Sequence, residues 1–223
     1  LMKVIAEFPS DYDRDDVKEV QQVIGKLPDT PGDAFEQLVG NWKVDWSSMG
    51  GNAFPKGEPK GRPMPLKFQS FDALPAVPVI FIGGYNRIID GRESSLQAMG
   101  GTYELIQVFT VPGSEGVEAS MVLSGPWSTG TSEGEWGKGA PRTRCGVQFQ
   151  NVRLAPSSSD PDASKAMLEA AGLSKYLEPV PLTAKATYID IDHISAAARV
   201  HKGESGSVYV LSRLASDIPF LLD

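Results

Sequence analysis

From Gly40 onward the apolar positions of this chain recur every second residue. Trp42, Val44 and Trp46 fall on one side of an extended segment and Lys43, Asp45 and Ser47 on the other, the period of a half-buried strand. Tyr103, Leu105, Gln107, Phe109 and Val111 share a face in the same way, as do Val117, Ala119, Met121 and Leu123. Strands are thus predicted at 41–48, 102–111 and 116–124, with others at 64–70, 78–90, 144–154, 186–202 and 207–213. Turn signals separate them and regular helices do not, which argues against a parallel α/β sheet. One-sided alternation points to an antiparallel sheet closed on its own core, a lipocalin-like β-barrel. Segment 207–213 is expected beside 41–48, where closure removes the sheet edges.

Before Gly40 the period is helical. Val17, Val20, Ile24 and Leu27 form an apolar stripe behind Asp15 and Asp16, whose charge suits a helix N-terminus. Pro28 and Pro31 end that helix, and Asp33 with Glu36 opens a short second one that stops at Gly40. The expected organisation is a helical cap over 1–40 and a barrel over 41–223. Residues 49–65, 124–141 and 155–163 read as loops, the second carrying Trp127 and Trp136, and a helix is expected near 163–171.

Composition narrows the function. A formal charge of −7 disfavours nucleic acid, which needs clustered Lys and Arg. A single cysteine, Cys145, excludes a disulfide framework and a multi-cysteine metal site. No window reaches the about 18 apolar residues of a membrane span. The chain begins Leu1-Met2, which suggests a trimmed start from which any targeting peptide has gone. The nearly uncharged run Leu74–Ile82 suits a buried strand or an exposed apolar edge for a partner.

No catalytic pattern stands out, and a non-enzymatic role is expected. Asp11, Asp13 and Asp15 have calcium-loop spacing, but Asp16 stands where Gly is needed and Gln22 where Glu is needed. His193 and His201 lack the further ligands of a zinc site. There is no nucleophile elbow, Walker loop or dinucleotide fingerprint. Asp190 and Asp192 share a strand face and would serve acid–base chemistry only if desolvated. The expected metal content is none.

Two further patterns concern the barrel itself. Gly40-x-Trp42 with a late Arg213 suits closure of one end, the guanidinium stacking on the indole and capping backbone carbonyls. Trp46, Tyr103, Phe109, Met121 and Phe149 are bulky inward candidates. They either fill the core or line a pocket for an isoprenoid, quinone, carotenoid or acyl chain.

These residues resemble the plastid lipid-associated proteins, also called fibrillins or plastoglobulins. The similar elements are the helical lead, the strand Val39–Ser48, Tyr85–Asp90, Val147–Leu154, and Tyr188-Ile189-Asp190. The turn Arg199-Val-His-Lys202-Gly203-Glu-Ser-Gly206 and the closing Tyr209-Val-Leu complete the likeness. Lys202 stands where the family has a second Arg, and Tyr188 is about five residues farther from Arg199 than in the family. The resemblance implies a lipocalin-like barrel and a plastid location peripheral to the thylakoid membrane or plastoglobule. It implies a bound lipid, carotenoid, quinone or chlorophyll rather than a catalytic cofactor. The alternatives are an accessory subunit docked on photosystem or light-harvesting proteins through 74–82 and 124–141, and a chromophore-handling barrel such as a bilin lyase.

Overall fold

A computed structural model of the chain describes residues 14–28, 34–48, 63–91, 100–129 and 144–221. Its centre is a closed antiparallel barrel. The strands are β1 (Gly40–Ser47), β2 (Met64–Pro65), β3 (Pro78–Asp90), β4 (Gly100–Thr110), β5 (Ala119–Thr129), β6 (Arg144–Pro156), β7 (Val180–Ile194), β8 (Ala198–Gly203) and β9 (Val208–Arg213). They run in the order β1-β9-β8-β7-β6-β5-β4-β3-β2, and β1 also pairs with β3. That last pairing closes eight strands into a ring, with β2 as a two-residue addition to β3. The chain is mainly β, as the alternation predicts.

The two faces of the sheet are covered differently. The lumen side holds the main core, including Trp42, Ile88, Phe109, Met121, Leu123, Val152, Leu154 and Leu211. Helix α2 (Pro161–Ala170) is capped by Asp160, which accepts from the Ala163 amide, and adds Met167 and Leu168 to that core. Outside, helix α1 (Arg14–Ile24) lays Val20 and Ile24 on Trp46, Val200 and Val210. The C-terminal segment lays Ile218, with Leu214, Phe220 and Leu221, on Tyr85, Ile106, Val108, Val122 and Ala155.

Three differences from the sequence reading have local causes. Trp46 does not share a face with Trp42 and Val44. A bulge between Val44 and Trp46 sets Trp46 opposite Val210, and an extra residue reverses the alternation. The expected strand 64–70 is a strand only at its start, and Leu66–Gln69 is a 3-10 turn. The Ser70 hydroxyl donates to the Lys67 carbonyl and accepts from the Leu74 amide, while Phe71 and Asp72 take φ of 51° and 63°. The expected strand 186–202 is two strands, split by a turn in which the Ser195 amide donates to the Ala198 carbonyl. Asp11, Asp13 and Trp136, with most of the 49–65 and 124–141 segments, lie outside the described residues. The start of the expected 124–141 loop, with Trp127, instead continues β5 to Thr129, paired with β4 and β6.

Gly40 is demanded twice. Its φ is +130°, and a Cβ there would sit 2.6 Å from Nη1 of Arg213. Gly206 has φ +84° in the final hairpin, but Gly203 does not. A Cβ on Gly203 would meet the Tyr209 ring at 3.6 Å and the Ser207 carbonyl oxygen at 3.8 Å, both ordinary contacts. The expectation that both turn glycines supply side-chain-averse backbone is therefore corrected to Gly206 alone.

Candidate functional site

One end of the barrel is shut by stacked charge. Trp42 is fully buried and its indole N–H donates to the Leu38 carbonyl at 2.8 Å. The Arg213 guanidinium lies 4.2 Å from the ring centroid and donates to the Val39 carbonyl at 2.7 Å and to the Gln37 carbonyl. Arg199 also lies over this indole, 4.9 Å from its centroid. The missing side chain at Gly40 is what lets Arg213 pass. Gly-x-Trp and the last-strand Arg are thus one contact, and its role is closure.

Toward the other end the lumen opens into a cavity of about 370 Å³. Its walls are largely apolar: Val44, Leu105, Val147, Phe149, Ile189 and Tyr209. Gln69 and Phe71 of the 66–72 strap border its mouth, with Gly203, Glu204 and Ser205 of the last hairpin. Phe71 is 44 % exposed and its ring is 6.0 Å from that of Phe149, so the strap partly covers the opening. The size is at the low end of small-molecule pockets, about 300–1,000 Å³.

The depth of the cavity is polar. Asn86, Tyr103, Gln107 and His201 line it and are all buried. Asn86 Oδ1 accepts from the Tyr103 hydroxyl at 2.9 Å and from the Arg199 guanidinium behind it. Arg199 Nε and Nη1, Gln107 Oε1 and His201 Nδ1 have no hydrogen-bond partner among the described residues. Burial pushes the Tyr103 hydroxyl up to about 12, against the pull of the Arg199 charge. Cys145 faces the same surroundings, and burial raises its thiol to about 12 as well. Both therefore keep their protons at neutral pH.

Burial, helped by Arg199, holds His201 well below the ordinary histidine range, so the imidazole stacked on Tyr209 is neutral. The unfolded chain binds a proton on this histidine below about pH 6.5 and the folded chain does not, so stability falls as pH drops below that value. The expected slope is about 1.4 kcal/mol per pH unit until the folded imidazole titrates. Urea midpoints at pH 7.5 and 5.5 check this: the parent should lose more over the interval than His201→Gln. Equal losses would mean that His201 is charged in the fold.

The five lumen candidates separate. Tyr103 and Phe149 line the cavity, with their rings 6.2 Å apart edge to face. Phe109 and Met121 are in the barrel core but do not line it. Trp46 is on the outer face under α1. The turn residues Lys202, Gly203 and Gly206 belong to the last hairpin, and Gly203 borders the mouth. Tyr188 lines the cavity and carries the Arg144 guanidinium 3.6 Å from its ring centroid. Arg144 grips Asp190 through two hydrogen bonds of 2.7 and 2.8 Å, which engages one carboxylate of the Asp190/Asp192 pair. Asp192 is raised, first by burial. Sequence reasoning missed Asn86, Gln107 and Phe71 as cavity groups. The one available signal was a polar Asn86 on an otherwise small or apolar face, between Gly84 and Ile88.

Among the described residues no group of His, Cys, Asp or Glu is arranged to hold a metal. No described helix is long and apolar enough to cross a membrane. No family model matches the chain, and neither a curated protein nor a solved structure matches it.

Proposed function

We propose that this protein is a non-enzymatic binder of one small lipophilic molecule, held in the barrel cavity. The observation that carries the reading is a lumen cavity with apolar walls and a buried polar floor, its mouth bordered by a strap bearing Phe71. Such a cavity suits a molecule with an apolar body and one polar end. Its volume of about 370 Å³ favours a quinone ring or a single acyl or isoprenoid chain over a whole chlorophyll or carotenoid. Following the resemblance to the plastid lipid-associated proteins, we place this binding at the surface of a thylakoid or plastoglobule. Phe68, 59 % exposed beside Lys67, offers an apolar point on the strap for that contact.

Docking on a photosystem through 74–82 and 124–141 draws less support. Leu74, Val79, Phe81 and Trp127 are buried in the barrel core, and the Trp127 indole donates to the Ile89 carbonyl at 3.1 Å. The chromophore-handling reading has no group in its favour beyond the cavity itself.

The test is quenching of tryptophan fluorescence by a short-chain isoprenoid quinone. The parent should saturate at one molecule per chain. Val147→Trp, which fills the cavity from its wall, should weaken binding by more than about tenfold, or 1.4 kcal/mol, while thermal unfolding shows the variant folded. Absence of saturation in the parent would overturn the proposal, as would equal affinity in the variant.

A further inference from the structure

We propose that the molecule held in this cavity ends in a carboxylate, and that Arg199 is the group that selects it. This rests on the cavity-binding reading above and names its ligand class.

Arg199 is fully buried. Its described partners are neutral: Asn86 accepts one of its hydrogen bonds, and Tyr103, Cys145 and the Trp42 ring surround it. No described Asp or Glu pairs with it, and a second guanidinium, Arg213, acts on it as a like charge. Arg213 spends its donors on the carbonyls of Gln37 and Val39, whereas Arg199 keeps Nε and Nη1 without an acceptor. A buried cation without an anion is costly, and a lone anion beside it removes much of that cost. The interior thus carries a positive site that the described residues leave uncompensated.

The position of that site links it to the cavity. Asn86 and Tyr103 touch Arg199 on one side and line the cavity on the other. Both are hydrogen-bonding groups on a polar floor whose His201 Nδ1 is also without a partner. A carboxylate at the floor would take the Tyr103 hydroxyl hydrogen in place of Asn86 Oδ1, a charge-assisted hydrogen bond, with the Arg199 charge directly behind those two side chains stabilising it. Its apolar tail would lie along Val44, Leu105 and Val147. Glu204 is the one carboxylate among the lining residues, and it stands exposed at the mouth, away from the floor.

The experiment compares parinaric acid, a fluorescent conjugated-polyene acid, with its methyl ester on the intact protein at pH 7.5. The acid should bind at least about tenfold more tightly than the ester. In Arg199→Gln the preference should fall to near unity. Because that variant removes a core charge and can fail to fold, Tyr103→Phe serves as the second: it should narrow the acid preference without changing ester affinity. Equal binding of acid and ester would overturn the carboxylate proposal and leave the cavity reading standing. So would a preference that survives both variants. Saturable binding of neither probe would overturn both.

Discussion

Replacing Trp42 by alanine should lower the free energy of unfolding by about 3–5 kcal/mol, the cost of removing a large aromatic ring from a close-packed core. Trp42 has no exposed surface, and its indole joins three parts of the fold. The N–H holds the Leu38 carbonyl that leads into β1, and the ring carries Arg213 from β9 and Arg199 from β8. Alanine leaves a cavity and also leaves the buried Arg199 and the half-buried Arg213 guanidinium groups without the ring face that stabilises them. Trp42→Phe keeps a face but loses the N–H, so it should fall between alanine and the parent. Urea unfolding of the three proteins decides the matter. A loss below about 1 kcal/mol in the alanine variant would mean that this end of the barrel does not depend on the indole.

Trp46→Ala should cost a similar amount, about 3–5 kcal/mol, for a different reason and with a different signature. Trp46 is fully buried on the outside of the barrel, where it packs with Val20 of α1 and with Val200 and Val210 of the wall. Its loss removes the seat of α1, so amide exchange in the helix should accelerate more than exchange in β4 or β5. Quinone affinity should stay within about twofold of the parent, a change of under 0.5 kcal/mol. A large loss of binding with α1 still protected would return Trp46 to the lumen.

The contrast between these two tryptophans shows how far the sequence could be read. Alternation alone identifies β1 and supplies the correct inward face at Trp42 and Val44. It cannot reveal a bulge, because an extra residue changes the register without changing the composition of the strand. The same limit applies at 66–72, where Ser70 and two positive-φ residues turn a strand-like run into the strap at the mouth. Closure was legible because Gly40, Trp42 and Arg213 each have few other physical explanations. The polar floor was not, because Asn86, Gln107 and His201 come from β3, β4 and β8, and single polar residues on strands read as surface. Only the closed ring puts them together, and only there does Arg199 stand without a counter-charge. Met121 illustrates the reverse error: it is inward and bulky, but lies in the solid part of the core, so the residue that can plug the cavity is Val147.

Methyl NMR during a titration with a lipophilic quinone or acid tests the central claim most directly, since it reports where a molecule sits. Binding in the cavity predicts saturable shifts at the methyl groups of Val44, Leu105, Val147 and Ile189, which line it. Met121 and Leu154 in the filled core, and Val200 and Val210 under α1, should move little. Shifts concentrated at Val200 and Val210, or absent from the cavity methyls at saturation, would contradict the account and place the binding surface outside the barrel.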